Sequence, residues 1–130
     1  MNDRHAGIGV LALLTIFAAG CGGGSGSEAK TMLQGAAGTS VKGTAELTQQ
    51  GEGAVHVVVT VESLSPGAHG IHIHETGDCS APDFSSAGAH FAPTPDPHGN
   101  PTSGPHHAGD LGNLEVGEGG GGEIDATFQA

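Results

Sequence analysis

Nine histidines occur in 130 residues, and seven of them fall between His69 and His107. The densest stretch is Pro66-Gly-Ala-His69-Gly-Ile-His72-Ile-His74-Glu75. In an extended chain, side chains at i and i+2 share a face, so His72 and His74 would point one way and Ile71 and Ile73 the other. Two imidazoles placed in this way can chelate one ion. His90, His98, His106, His107 and Asp110 follow at spacings that do not repeat, unlike a contiguous histidine tract. Imidazole is the commonest protein ligand for zinc and copper, and two or three such rings with one carboxylate make an ordinary coordination set.

The elements that must position these residues read as short strands. Ala54 to Glu62 is the clearest: Val55, Val57, Val59 and Val61 line one face, while His56, Val58, Thr60 and Glu62 line the other. Further strands are expected over Ala29 to Gln34, Val41 to Thr48, Ala68 to Glu75, Leu111 to Val116 and Glu123 to Phe128. Twenty-five glycines and seven prolines favour a loop-rich β domain. From Thr76 to Gly109 no period is visible, and six of the seven prolines lie there, so this stretch is expected to be an irregular loop. The formal charge of −11 excludes nucleic acid as a partner, because binding a phosphate backbone needs Lys and Arg, and only Lys30 and Lys42 follow Arg4.

Several motifs carry a family resemblance. They are His69-Gly-Ile-His72-Ile-His74-Glu75, Gly77-Asp78-Cys79, Ser86-Ala-Gly-Ala-His90-Phe91, His98-Gly99 and His107-Ala-Gly-Asp110-Leu-Gly-Asn113. In order and spacing they resemble copper-zinc superoxide dismutases, over the chain from about Lys30 onward. The resemblance implies an all-β Greek-key barrel or sandwich, of whose eight strands six are legible here. It implies copper at His72, His74 and His90 and zinc at His90, His98, His107 and Asp110, with the His90 imidazole shared between the two metals. Zinc would then close the proline-rich loop, adding free energy to folding. The implied activity is disproportionation of superoxide anion to dioxygen and hydrogen peroxide, with His72, His74 and His90 catalytic and His90 taking up a proton when it releases copper.

The chain also departs from the family. A fourth copper histidine, an arginine that orients superoxide and an acidic residue linking the copper and zinc ligands have no counterpart after Asp110. The cysteine that pairs in the family with the position of Cys79 is absent too. The sequence is accordingly expected to be truncated at its C-terminus, and the alternative is a non-enzymatic copper- or zinc-binding lipoprotein or an inactive family fragment. His69, His106 and His56 are expected to play structural or solvated roles.

The N-terminus reads as a targeting segment over residues 1–20: Arg4, an apolar run from Ile8 to Phe17, then Ala18-Ala-Gly20 before Cys21. Ten residues are too few to cross a bilayer core, which takes about twenty. Small residues before Cys21 resemble a bacterial lipobox, with Cys21 lipidated, a Gly/Ser tether over 21–28 and one metal-binding domain over 29–130. Export to the cell envelope, as a membrane-anchored lipoprotein in the periplasm or on the outer surface, is the expected location. The sequence is compatible with a monomer or a dimer.

Overall fold

The computed structural model describes residues 27–129. The targeting segment, Cys21 and most of the tether lie outside the described residues. Six strands form one antiparallel sheet: β1 (Glu28–Gln34), β2 (Lys42–Gln49), β3 (Ala54–Glu62), β4 (Gly67–His72), β5 (Asp110–Val116) and β6 (Gly122–Gln129). Each corresponds to a strand expected from the sequence, and β3 has the expected ends.

The strand order is β1-β2-β3-β6-β5-β4. Strands β4, β5 and β6 run as a meander, and β3 lies beside β6, which is the Greek-key arrangement. The link from β3 to β4 must therefore pass the β5–β6 turn. Leu64 anchors that crossing, its side chain buried and its N–H donating to the Gly120 carbonyl at 3.1 Å. Gly120 has φ +78°, and a Cβ there would sit 3.1 Å from the Leu64 carbonyl oxygen, so the turn needs a residue that accepts the left-handed region and close backbone approach.

Hydrophobic burial explains why the sheet curls. Val57, Val59 and Val61 are buried, with Val55 packed against them, as the alternation on β3 requires. Leu33 on one edge strand and Ile71 on the other belong to the same buried cluster as Leu111, Leu114 and Val116. Strands at opposite ends of the hydrogen-bonded order share one core only if the sheet folds over itself into a barrel-like sandwich. At about 25 cal/mol per Å2 of apolar area removed from water, this core is the main force holding the strands together.

Between β4 and β5 the chain is irregular, and the stretch from Thr76 to Gly109 contains a single 3-10 turn, Ser85–Ala87. One expectation is corrected here. Strand β4 ends at His72 rather than Glu75, after an irregularity between Gly70 and His72, and His74 instead forms an isolated antiparallel bridge with His90. The reason lies in the loop: beyond His72 the backbone hydrogen bonds of the chain run to Gly109, just ahead of β5, and to Phe91 and Ala89.

Candidate metal centre

Four backbone segments carry the candidate ligands, and three of them, all but that of His98, are laced together by one residue each. Ile73 N–H donates to the Gly109 carbonyl, Gly109 N–H to the Phe91 carbonyl, and Phe91 N–H to the Ile73 carbonyl, each at 2.8 Å. This closed cycle sets Ile73, between His72 and His74, against Phe91, next to His90, and Gly109, next to Asp110. The relative position of His72, His74, His90 and Asp110 is thus set by backbone, which has little freedom to drift. Gly109 is buried at the centre, and a Cβ there would lie 2.4 Å from the Ile73 carbonyl oxygen and 2.9 Å from Phe91 N. Gly109→Ala must push these segments apart. It is expected to cost about 1–3 kcal/mol, the usual scale of overpacking, and to weaken metal binding, checked by urea unfolding and by zinc titration of the same variant.

Asp110 is the hub of the side chains and is buried at 2% exposure. Its Oδ2 accepts from the Gly99 N–H at 2.9 Å and the His107 N–H at 3.0 Å. Its Oδ1 faces three ring nitrogens: Nδ1 of His90 at 2.9 Å, of His98 at 3.0 Å and of His107 at 3.5 Å. Burial alone would raise the Asp110 carboxyl, but the two backbone N–H groups and the His90 and His98 rings outweigh it and hold the group well below the usual carboxylate range. Asp110 is therefore ionised at any physiological pH.

The donor set fits a metal ion on two independent counts. Three imidazole nitrogens and one carboxylate oxygen converge, the composition of a closed zinc site. In addition, His107 Nδ1 is buried and has no hydrogen-bond partner, a costly state that a bound cation relieves. Sequence reasoning found these four side chains but missed the two backbone N–H groups that grip Asp110, which only the fold brings there.

His72 and His74 both contact His90, and His72 also meets His98, with centroids 5.4 Å apart. The His72 ring stacks on His90 with centroids 3.9 Å apart and planes 18° from parallel, and His74 meets His90 edge-on at 5.3 Å. His74 Nδ1–H donates to the Gly88 carbonyl at 3.0 Å, which leaves its Nε2 with a free lone pair. The candidate ligand atoms of His72, His90, His98 and Asp110 all lie within 4.8 Å of one another. His74 and His107 lie outside that group. Burial, and then the charge of His90, push His72 down from 6.5 to about 4, so its ring is neutral and free to ligate at neutral pH.

A depressed folded-state value has a defined consequence for stability. Below pH 6.5 the unfolded chain takes up a proton at His72 that the folded chain resists, so the metal-free protein should lose stability as pH falls from 6.5 towards 4. Asp110 adds to the loss only below its ordinary value of 3.8. Urea midpoints are expected to be level from pH 7 to 8 and to fall between pH 6.5 and 4, with a shallower fall in His72→Gln.

The other histidines among the described residues turn elsewhere. His69 Nε2 donates to the Ser65 carbonyl at 2.8 Å and His106 Nδ1 to the Gly104 carbonyl at 2.8 Å. His56, on the outer face of β3, pairs with Asp125 at 2.7 Å and is half-buried rather than free in solvent. Cys79 has a free thiol, which burial pushes up.

A Greek-key β fold with a buried carboxylate ringed by imidazoles defines a metal-binding protein of the all-β class. The chain belongs to the copper/zinc superoxide dismutase family, whose model matches residues 41–130. It is 48% identical over 88 residues to superoxide dismutase [Cu-Zn] 2 of Brassica juncea, a match covering 68% of this chain and 55% of that relative. The chain thus spans little more than half the length of that relative. Among solved structures it is similar to a crystal structure of the clock protein EA4, with a TM-score of 0.69 and 34% identity over 85% of this chain and 68% of the other.

Proposed function

We propose that the protein is a superoxide dismutase-like metalloprotein, exported to the cell envelope and held there by lipid on Cys21. Zinc is assigned to His90, His98, His107 and Asp110, and copper to His72, His74 and His90. The observation that carries this reading is the convergence of three Nδ1 atoms on Asp110 Oδ1, with His72 stacked on the shared His90 ring and His74 meeting it edge-on. Copper, when bound, supplies the one-electron redox change that superoxide disproportionation requires, and zinc supplies a fixed charge that organises the loop.

The chain's own residues then do three things. The three-way backbone cycle through Ile73, Phe91 and Gly109 holds the ligands in place. The Gly88 carbonyl fixes the His74 tautomer, and His72 stays neutral, so both rings present lone pairs at neutral pH. His90 has its Nδ1 committed to the Asp110 side, which leaves Nε2 as the atom facing the copper ligands and the place to hold the proton that peroxide needs. The net charge of −11 gives superoxide no global steering, so attraction must come from the centre itself.

The test is direct decay of superoxide, followed by stopped flow on protein loaded with both metals. Turnover abolished by His74→Ala, with zinc content unchanged, is the expected result. Both metals bound without turnover would leave a metal-binding protein that is not an enzyme. Mass spectrometry of the mature N-terminus tests the anchor: a diacylglyceryl mass on Cys21 is expected, and an unmodified Cys21 would contradict it.

A further inference from the structure

Glu75, the residue after His74, reaches the same peptide unit that His74 uses. The Gly88 carbonyl accepts from His74 Nδ1–H at 3.0 Å, and on the other side of that unit the Ala89 N–H donates to Glu75 Oε1 at 3.2 Å. We infer that Glu75 is a positioning residue for His74: by holding the Ala89 N–H it aims the Gly88 carbonyl, and so sets which ring nitrogen of His74 is left to ligate. The inference rests on the assignment of copper to His74 proposed above, and adds to it a residue outside the ligand set.

The linkage follows from the shape of a peptide. The Gly88–Ala89 unit is trans, so it is planar and its C=O and N–H point in opposite directions. A group that fixes one therefore fixes the other. Gly88 needs such a hold, because its φ of +75° and ψ of −153° lie in a region that only glycine enters freely, and glycine has little preference of its own. The direction of the carbonyl matters for the ring. With the proton held on Nδ1, the lone pair stays on Nε2; the other tautomer would place an N–H where the metal must bind.

Although Glu75 is exposed, its side chain is seated. A Cβ on Gly88 would lie 2.5 Å from Glu75 Oε1, 2.9 Å from its Cγ and 3.1 Å from its Cδ, so the side chain occupies space that glycine alone leaves open. The main chain adds a second hold, since the Glu75 N–H donates to the Ala89 carbonyl at 2.9 Å. Residue 89 is thus gripped at both its N–H and its C=O by residue 75, and His90 follows it. The backbone half of this grip survives a substitution at residue 75. A change of side chain therefore isolates the peptide that serves His74.

The experiment reads the His74 tautomer in the metal-free chain by nitrogen NMR of the imidazole rings at mildly alkaline pH, with copper and zinc affinities measured by chelator competition. The parent is expected to show the Nδ1–H form alone. Glu75→Ala should show a mixture of both tautomers and bind copper about tenfold more weakly, the low end for losing a residue that orients a ligand, because Glu75 acts through an intervening peptide. Glu75→Gln, which keeps an acceptor oxygen, should restore the single tautomer and the affinity. Zinc affinity should be unchanged in both variants, since the backbone bond from residue 75 to Ala89 still holds the His90 segment. An Nδ1–H form that persists in Glu75→Ala, an unchanged copper affinity, or a Gln variant that behaves like the Ala variant would each overturn the inference. A parallel fall in zinc affinity would also overturn it, as a general loosening of the loop. A parent that binds no copper would sink the assignment of copper to His74 instead, and the tautomer in the metal-free chain would still decide whether Glu75 sets the ring.

Discussion

Asp110→Asn is expected to weaken zinc binding by more than the roughly 10- to 100-fold typical of losing a residue that merely orients a ligand. The argument turns on the two oxygens. Oδ2 accepts from the N–H groups of Gly99 and His107, so an asparagine side chain must keep its carbonyl oxygen there. Its NH2 then replaces Oδ1 and points two hydrogens at the place where His90, His98 and His107 bring their Nδ1 atoms. The variant therefore loses the only anionic side chain among the candidate ligands and replaces it with donors, while the grip of the loop on residue 110 survives. Competition with a chelator of known affinity reads the effect. A variant within threefold of the parent would show that Asp110 is a structural hydrogen-bond acceptor and not a ligand.

Zinc is expected to raise the thermal midpoint by about 15 °C or more when its free concentration is about a thousand times the dissociation constant. At that ratio binding contributes about 4.1 kcal/mol, and each kcal/mol moves the midpoint of a domain of this size by about 4–8 °C. The physical source is the loop from Thr76 to Gly109. It has one 3-10 turn, and among the described residues it gives the core only Ala87 as a buried apolar side chain. Apolar burial cannot offset the entropy of ordering so long a segment, whereas His90, His98 and His107 tie it at three points to Asp110. Excess chelator should reverse the shift, and calorimetry checks it. A shift below about 5 °C would mean that the backbone cycle, not the ion, holds the loop.

The strands were legible because each shows its own alternation. Ala54 to Glu62 is the clearest case, since four valines at every second position leave only one face to bury. The meeting of His90, His98 and His107 at Asp110 was legible because these residues stand at family spacings, which do not depend on the path of the loop between them. What the sequence could not show depends on contacts between distant segments. The cycle through Ile73, Phe91 and Gly109 involves residues 18 or more positions apart, and nothing in the local pattern marks them as partners. The early end of β4 has the same origin, because His74 leaves the strand only where His90 is there to pair with it. The clamp on Asp110 by backbone N–H groups was invisible for a further reason: every residue but proline has that donor, so its identity carries no signal. His98-Gly99 offered the nearest hint, since glycine after a candidate ligand permits close backbone approach.

The most direct test of the central claim is zinc-edge X-ray absorption on the full chain loaded with one equivalent of zinc. The account predicts four light ligands at about 2.0–2.1 Å, three of them with the multiple-scattering pattern of imidazole and the fourth an oxygen that disappears in Asp110→Asn. A sulfur ligand from Cys79, or a spectrum with fewer than three imidazoles, would contradict it.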